Sequence, residues 1–242
     1  MLSYKESDYF YFKGFKLGNK YASFKINTDG VLLAAWSSLP KSKSALLDIG
    51  SGTGVITVIK ALQNKSIIID AIDIDKLSYE ETLTNVRINA LQERVNCYHT
   101  GLAEFRPDQL YDYIISNPPF YSTHQPPSNS RKARAKHNEG LSIQQLWEYI
   151  AQDANYDCTV ALIYPATDHQ NHLDYAKINH FKPKRICQIR GKEGGKFIRY
   201  LIEFTNHDGN IEIEESSMSI RAANGKDFSL DYLNTCKNYY LD

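Results

Sequence analysis

Cysteine is scarce and scattered. The 242-residue chain has four, Cys97, Cys158, Cys187 and Cys236, spaced too widely for a zinc cluster or a disulfide framework. A stapled secreted scaffold is thereby excluded, and a reducing, cytoplasmic setting is expected. His99, His124 and His137 lack metal-ligand spacing, so no metal site is expected. Long apolar runs are also missing. None approaches the roughly 18–20 residues a membrane span needs, and the N-terminus has no signal-peptide apolar region. Net charge is absent too: 28 Lys+Arg balance 28 Asp+Glu. Taken alone, that balance argues against a nucleic-acid partner, because phosphate binding draws on surplus Lys and Arg. What remains is 42% hydrophobic residues, enough for one sizeable soluble core.

The zero is an average over segregated charge. Residues 1–44 hold seven Lys against Glu6, Asp8 and Asp29, or +4. Residues 122–138 hold Arg131, Lys132, Arg134 and Lys136 with no acid, again +4. Residues 182–200 hold seven bases against Glu193, or +6, and residues 201–242 carry eight acids against three bases, or −5. Single charged runs are usually solvated faces; three basic ones make a composite anion-binding surface if the fold gathers them.

The opening reads as β. Aromatic runs at residues 9–13 and 21–26 flank Gly18-Asn19, which predicts a hairpin over 9–26. A short helix follows over residues 31–36, with Thr28 or Asp29 as its N-cap. From residue 45 short apolar runs alternate with helical stretches, predicting strands at 45–49, 67–72, 95–99, 113–116 and 159–163. Helices are expected near 52–63, 77–91, 142–155 and 167–180. An antiparallel pair at 185–190 and 197–204 closes the series. Such alternation implies βαβ units and a parallel sheet. The organisation expected is an N-terminal extension over residues 1–44 and one α/β domain over 45–242.

Two turns carry chemistry. Asp48-Ile49-Gly50-Ser51-Gly52-Thr53-Gly54 leaves a strand and enters a helix. The glycines let backbone approach a ligand, and the helix start supplies free N–H groups. A dinucleotide turn would place its third Gly at position 55, which is Val. Asp48, two residues before the first Gly, suits a cation better than a pyrophosphate. An ammonium-bearing sulfonium such as S-adenosylmethionine meets that description, with Asp73 or Asp75 placed to accept ribose hydroxyls. The second turn is Asn117-Pro118-Pro119-Phe120-Tyr121, at the end of the 113–116 strand, where ligands of open α/β sheets sit. The Asn117 side-chain oxygen and the Pro118 carbonyl can accept both hydrogens of a planar amide or aromatic amine and orient its lone pair. Phe120 and Tyr121 can stack on the acceptor.

Together these motifs resemble class I S-adenosylmethionine-dependent methyltransferases of the amino-methylating type, over about residues 45–205. The resemblance implies a Rossmann-like, mostly parallel seven-stranded sheet with an antiparallel last strand, plus the short N-terminal hairpin. Phe12–Phe15, the run from Lys25 to Trp36 and the ending Tyr239-Tyr240-Leu241 are similar to the bacterial tRNA1(Val) (adenine-37-N6)-methyltransferases. This implies methyl transfer to adenine N6 beside the anticodon of a tRNA. It implies catalytic residues Asn117, Pro118, Pro119 and Phe120, and cofactor contacts at Lys25, Thr28 and Asp29. Further cofactor contacts fall at Asp48, Gly50, Gly52, Thr53, Gly54, Asp73, Ile74, Leu102, Ala103 and Asn117. Leu102 stands where relatives often carry an Asp on the cofactor's adenine, leaving Glu104 or backbone for that contact.

The basic loop starts at the mouth of the site. Tyr121, Arg131, Lys132, Arg134, Lys136 and His137 are therefore expected to meet substrate RNA and its phosphates. A monomer without membrane or metal partners is expected. Two other functions fit the residues: a protein-glutamine N5-methyltransferase, whose side-chain amide satisfies the same Asn-Pro geometry, and a non-catalytic RNA-binding module on the same scaffold.

Overall fold

The computed structural model describes residues 2–39, 44–118 and 142–240. Buried apolar runs build the central strands: β3 (Ala45–Ile49), β4 (Ile68–Asp73), β5 (Val95–His99), β6 (Tyr111–Ser116) and β7 (Ala154–Pro165), all parallel. Beyond β7 the sheet takes in β9 (Phe197–Thr205), antiparallel to both its neighbours. Then come β8 (Lys182–Lys192) and β10 (Glu214–Arg221). The order is β10-β8-β9-β7-β6-β3-β4-β5. Because only β9 is reversed, the carboxyl ends of the other seven strands share one edge.

An eighth strand joins the seven expected, and the antiparallel strand at 197–205 lies inside the sheet, between β7 and β8. The extra strand, β10, escapes sequence reading because its sequence Glu-Glu-Ser-Ser-Met-Ser-Ile-Arg is polar and only Met218 and Ser219 are buried. Its ladder to β8 holds it at the edge.

Helices cover both faces. α1 (Thr28–Trp36), α2 (Val55–Gln63), α3 (Lys76–Ile88) and α6 (Leu230–Cys236) lie on one side, with α4 (Ile143–Asp153) and α5 (His169–Ile178) on the other. The first side joins Phe12, Leu17 and the buried run Val31–Ala34 to Leu46, Val58 and Ile115 in one apolar cluster. The N-terminal residues thus share a core with the sheet. Trp147 centres the second cluster, fully buried among Phe181, Phe204 and His172.

The hairpin is shorter and earlier than expected. β1 (Tyr9–Phe12) pairs with β2 (Phe15–Gly18) across Lys13-Gly14, Gly14 having a φ of 80°. The glycine that turns the chain is therefore Gly14, which needs the left-handed region. Residues 21–26 do not form the second strand: the N–H groups of Tyr21, Ala22 and Ser23 go to Glu81 and Ser78 of α3, and that of Ile26 to Asn19. The cap of α1 also differs: Asn27, not Thr28 or Asp29, accepts the Gly30 N–H at 2.9 Å.

Candidate functional site

At the carboxyl edge the turns after β3, β4 and β6 surround a cavity of about 490 Å³. Its floor is the turn Gly50–Thr53. Gly50, Gly52 and Gly54 have φ of 73°, 59° and 75°, conformations that side chains with a Cβ adopt only under strain. The N–H groups of Gly50 and Ser51 donate to the Ile72 carbonyl at 2.9 and 3.0 Å, which ties the turn to β4. Gly52 N–H donates to Asp73 Oδ2 and Asp75 N–H to Asp73 Oδ1, both at 2.8 Å. Ser116 at the end of β6 donates to the Ile49 carbonyl at 2.8 Å, which fixes the neighbouring wall.

Two carboxylates dominate the electrostatics. Asp48 is fully buried and its Oδ2 accepts from the Thr57 hydroxyl, while its Oδ1 has no hydrogen-bond partner among the described residues. Burial pushes its carboxyl up to about 7; the nearby Asp73 adds to this and the Thr57 hydrogen bond opposes it. Burial also raises Asp73, to about 6, against the two N–H groups that favour its charged form. Both sites are short of positive charge, a condition that a cationic ligand relieves.

The structure gathers Lys25, Gly50, Gly52, Thr53, Asp73, Ile74, Leu102, Ala103, Asn117 and Pro118 on the cavity wall, with Ser51 and Glu104. Thr28, Asp29, Asp48 and Gly54 do not line it. Gly54 caps α2 against Thr82, whose Cγ2 is 3.0 Å from where a Cβ would stand. Asp29 is paired with Arg199 at 3.1 Å, and Lys25 folds back so that its Nζ donates to the Lys20 carbonyl. Asn117 sits beside Gly30, its Nδ2 3.9 Å from where a Cβ on that glycine would lie. Pro119, Phe120, Tyr121, Arg131, Lys132, Arg134, Lys136 and His137 lie outside the described residues.

A second polar system escapes sequence reading. Ser78, Glu81, Thr82 and Asn85 recur at i, i+3, i+4 and i+7 on α3, and all four are buried. Glu81 Oε1 accepts from the N–H groups of Lys20 (2.8 Å) and Tyr21 (2.9 Å) and from the Tyr4 hydroxyl (3.0 Å), and its Oε2 from Ala22 N–H at 2.7 Å. Asn85 exchanges two hydrogen bonds with Gly18 and donates to the Thr53 carbonyl at 2.8 Å. Thr82 donates to the Gly52 carbonyl at 3.0 Å. One helix face therefore holds the N-terminal segment over the glycine turn, and residues 23–27 become a wall of the cavity. The helical spacing was a signal in the sequence, but a polar stripe ordinarily marks the solvent side.

Known proteins supply the family. A family model, the methyltransferase small domain, matches residues 21–133 and so begins inside the N-terminal extension. The tRNA1(Val) (adenine(37)-N6)-methyltransferase of Christiangramia forsetii is 31% identical, the match covering 87% of this chain and 90% of that protein. The protein of the same name from Pseudoalteromonas translucida is 30% identical over 96% of this chain and 98% of its own. The chain belongs to this methyltransferase family. A solved structure described as a predicted O-methyltransferase from Agrobacterium tumefaciens matches at a TM-score of 0.67 and 13% identity, covering 87% of this chain and 96% of that one. This second likeness supports the class I methyltransferase fold. Among the described residues of this family member, no helix is long and apolar enough to cross a membrane.

Proposed function

We propose that the protein transfers a methyl group from S-adenosylmethionine to N6 of adenine 37 in tRNA1(Val). The observation that carries the reading is the meeting of Asn117-Pro118 with the glycine turn and Asp73 on one cavity wall, in a chain whose family bears that name. The cavity fits the cofactor on two counts. The orphaned Oδ1 of buried Asp48 calls for positive charge, and the positive-φ turn leaves a cradle that side chains would fill. The Gly50–Thr53 backbone, with Asp48 behind it, would hold the amino-acid end, Asp73 the ribose, and Ile74, Leu102 and Ala103 the adenine, with Lys25 along the near wall and Thr28 and Asp29 set back from it at the start of α1. When bound, the cofactor supplies an electrophilic methyl on a sulfonium.

This chain's residues prepare the nitrogen to receive it. The Asn117 Oδ1 and the Pro118 carbonyl accept the two N6 hydrogens, which turns the lone pair out of the ring plane and towards the methyl. The same acceptors lead away the proton that becomes acidic once the new N–C bond forms. Pro119 is assigned to stiffen that turn, and Phe120 and Tyr121 to sandwich the splayed base. Arg131, Lys132, Arg134, Lys136 and His137 are assigned to the flanking phosphates. Residues 1–44 act as an extension of the catalytic domain at 45–242, and the protein works as a cytoplasmic monomer on tRNA.

The test is methyl transfer to unmodified tRNA, to duplex DNA and to a glutamine-bearing protein, with mass-spectrometric mapping of the product. Modified adenine in tRNA is expected; transfer to protein alone overturns the reading. Asn117→Ala should cut kcat by about 10²–10³-fold while cofactor affinity, read by calorimetry, stays within two-fold.

A further inference from the structure

The tip of the +6 segment, from Arg190 to Arg199, is brought by the fold to the edge that carries the site, while Lys182, Lys184 and Arg185 at the start of β8 lie at the opposite edge. β8 runs parallel to β10, and β9 is antiparallel to both β7 and β8, so Lys192 and Arg221 end their strands on the same edge as Asp73 and Ser116. The β8–β9 hairpin tip and the turn after β10 are joined there. Glu193 N–H donates to the Arg221 carbonyl at 2.9 Å, and Ala223 N–H to Glu193 Oε2 at 3.2 Å. Arg190 and Arg221 lie half-buried, their guanidiniums 4.0 Å from the ring centroids of Phe197 and Phe228. Lys192, Lys196 and Lys226 are exposed. No ion pair engages any of these five bases among the described residues. The two acids nearby, Glu193 and Asp227, each accept a hydrogen bond inside the ledge. Five bases against two acids leave a net charge of +3 on a stiff surface.

One hydrogen bond and the start of α1 connect the β8–β9 hairpin to the reacting turn. Arg199, at the start of β9, donates from Nε to Asp29 Oδ2 at 3.1 Å. Asp29 adjoins Gly30, and Gly30 leaves the space beside Asn117 Nδ2. The ledge and Asn117 therefore stand on the same sheet edge, on either side of the start of α1. Planar guanidiniums stacked on rings and flexible exposed ammoniums are the donors that meet phosphate oxygens. We propose that this β8–β9/β10 ledge, with Arg190, Lys192, Lys196, Arg221 and Lys226, binds the tRNA backbone beside the methylated nucleotide. It is distinct in sequence from the basic run at residues 122–138. The inference rests on the tRNA reading above and adds a surface to it.

The experiment compares the wild type with the triple variant Lys192→Glu, Lys196→Glu, Lys226→Glu, none of which lines the cavity. Methyl transfer to tRNA is measured across a salt series, with cofactor binding by calorimetry as a control. The expected result is a KM for tRNA raised by about ten-fold or more and a log–log salt slope smaller by about 2 to 3. kcat at saturating tRNA and cofactor affinity should stay within two-fold. Arginine at the same three positions should restore the KM, which separates lost charge from lost structure. A wild type that methylates tRNA while the triple variant keeps its KM and salt slope overturns the ledge alone. A wild type that methylates only protein overturns the tRNA reading itself, and the ledge with it.

Discussion

Two carboxylates on neighbouring elements are equally buried and differently used. Glu81, on α3, is fully enclosed and collects four hydrogen bonds, three of them from consecutive backbone N–H groups. Asp48, at the end of β3, is just as enclosed but has one donor, Thr57, and one bare oxygen. Burial of a charge is tolerated when its oxygens are satisfied and costly when they are not. Glu81 is therefore finished by the fold, as a staple for the N-terminal segment. Asp48 is left with one unmatched oxygen next to the turn that floors the cavity, an arrangement that favours a cationic ligand there.

That contrast can be broken from either side. The largest effect is expected at the staple: Glu81→Ala leaves three buried N–H groups without an acceptor and should lower the unfolding free energy by about 3 kcal/mol or more, read by chemical denaturation. A loss below about 1 kcal/mol would remove Glu81 from that role. Asp48→Asn should behave oppositely. With the buried charge gone, the cofactor-free protein at pH 8 should gain on the order of 1 kcal/mol, while cofactor affinity falls by roughly 10–100-fold. Equal loss of stability in both variants would erase the distinction.

The pH dependence probes the same contrast, and its sign follows from the raised carboxyls. Folded Asp48 holds its proton up to about 7, whereas an unfolded chain releases it near the ordinary carboxylate value. Stability of the cofactor-free protein should therefore fall as pH rises from about 4 to about 7, Asp73 contributing in the same direction up to about 6. An ammonium ligand needs the charged form. Cofactor affinity should weaken as pH falls below about 7, by at most roughly ten-fold per pH unit. In Asp48→Asn the step near 7 should vanish; a titration that persists assigns it elsewhere.

The elements legible in the sequence were those with a strong local cause. The short apolar runs at 45–49, 67–72 and 159–163 read as buried strands, and each stands within a residue or two of its predicted place apart from β7, which extends further at both ends. The glycine turn and Asn117-Pro118 were legible because few backbones tolerate them. The hairpin was misplaced because Gly18-Asn19 reads as its turn, whereas the structure turns at Lys13-Gly14 and gives Gly18 and residues 20–22 to distant α3. There Asn85 takes the N–H and C=O of Gly18, and Glu81 the N–H groups of residues 20–22. Lys60 shows the same limit. It looks like a surface lysine on α2, yet it is fully buried and donates to the carbonyls of Ser37 and Ser38 at the end of α1.

The charge balance that opened the sequence reading divides in the same way. Sequence alone determined that 28 bases and 28 acids are segregated along the chain, and that a glycine turn and an Asn-Pro turn would end two parallel strands. Local backbone preference and hydrophobic period set these features, and both act over a few residues. Only the tertiary structure decided which buried carboxylate is satisfied, which turn closes the hairpin, and that the tip of the +6 segment shares an edge with Asn117. Those outcomes depend on strand order and on hydrogen bonds between residues more than 50 positions apart.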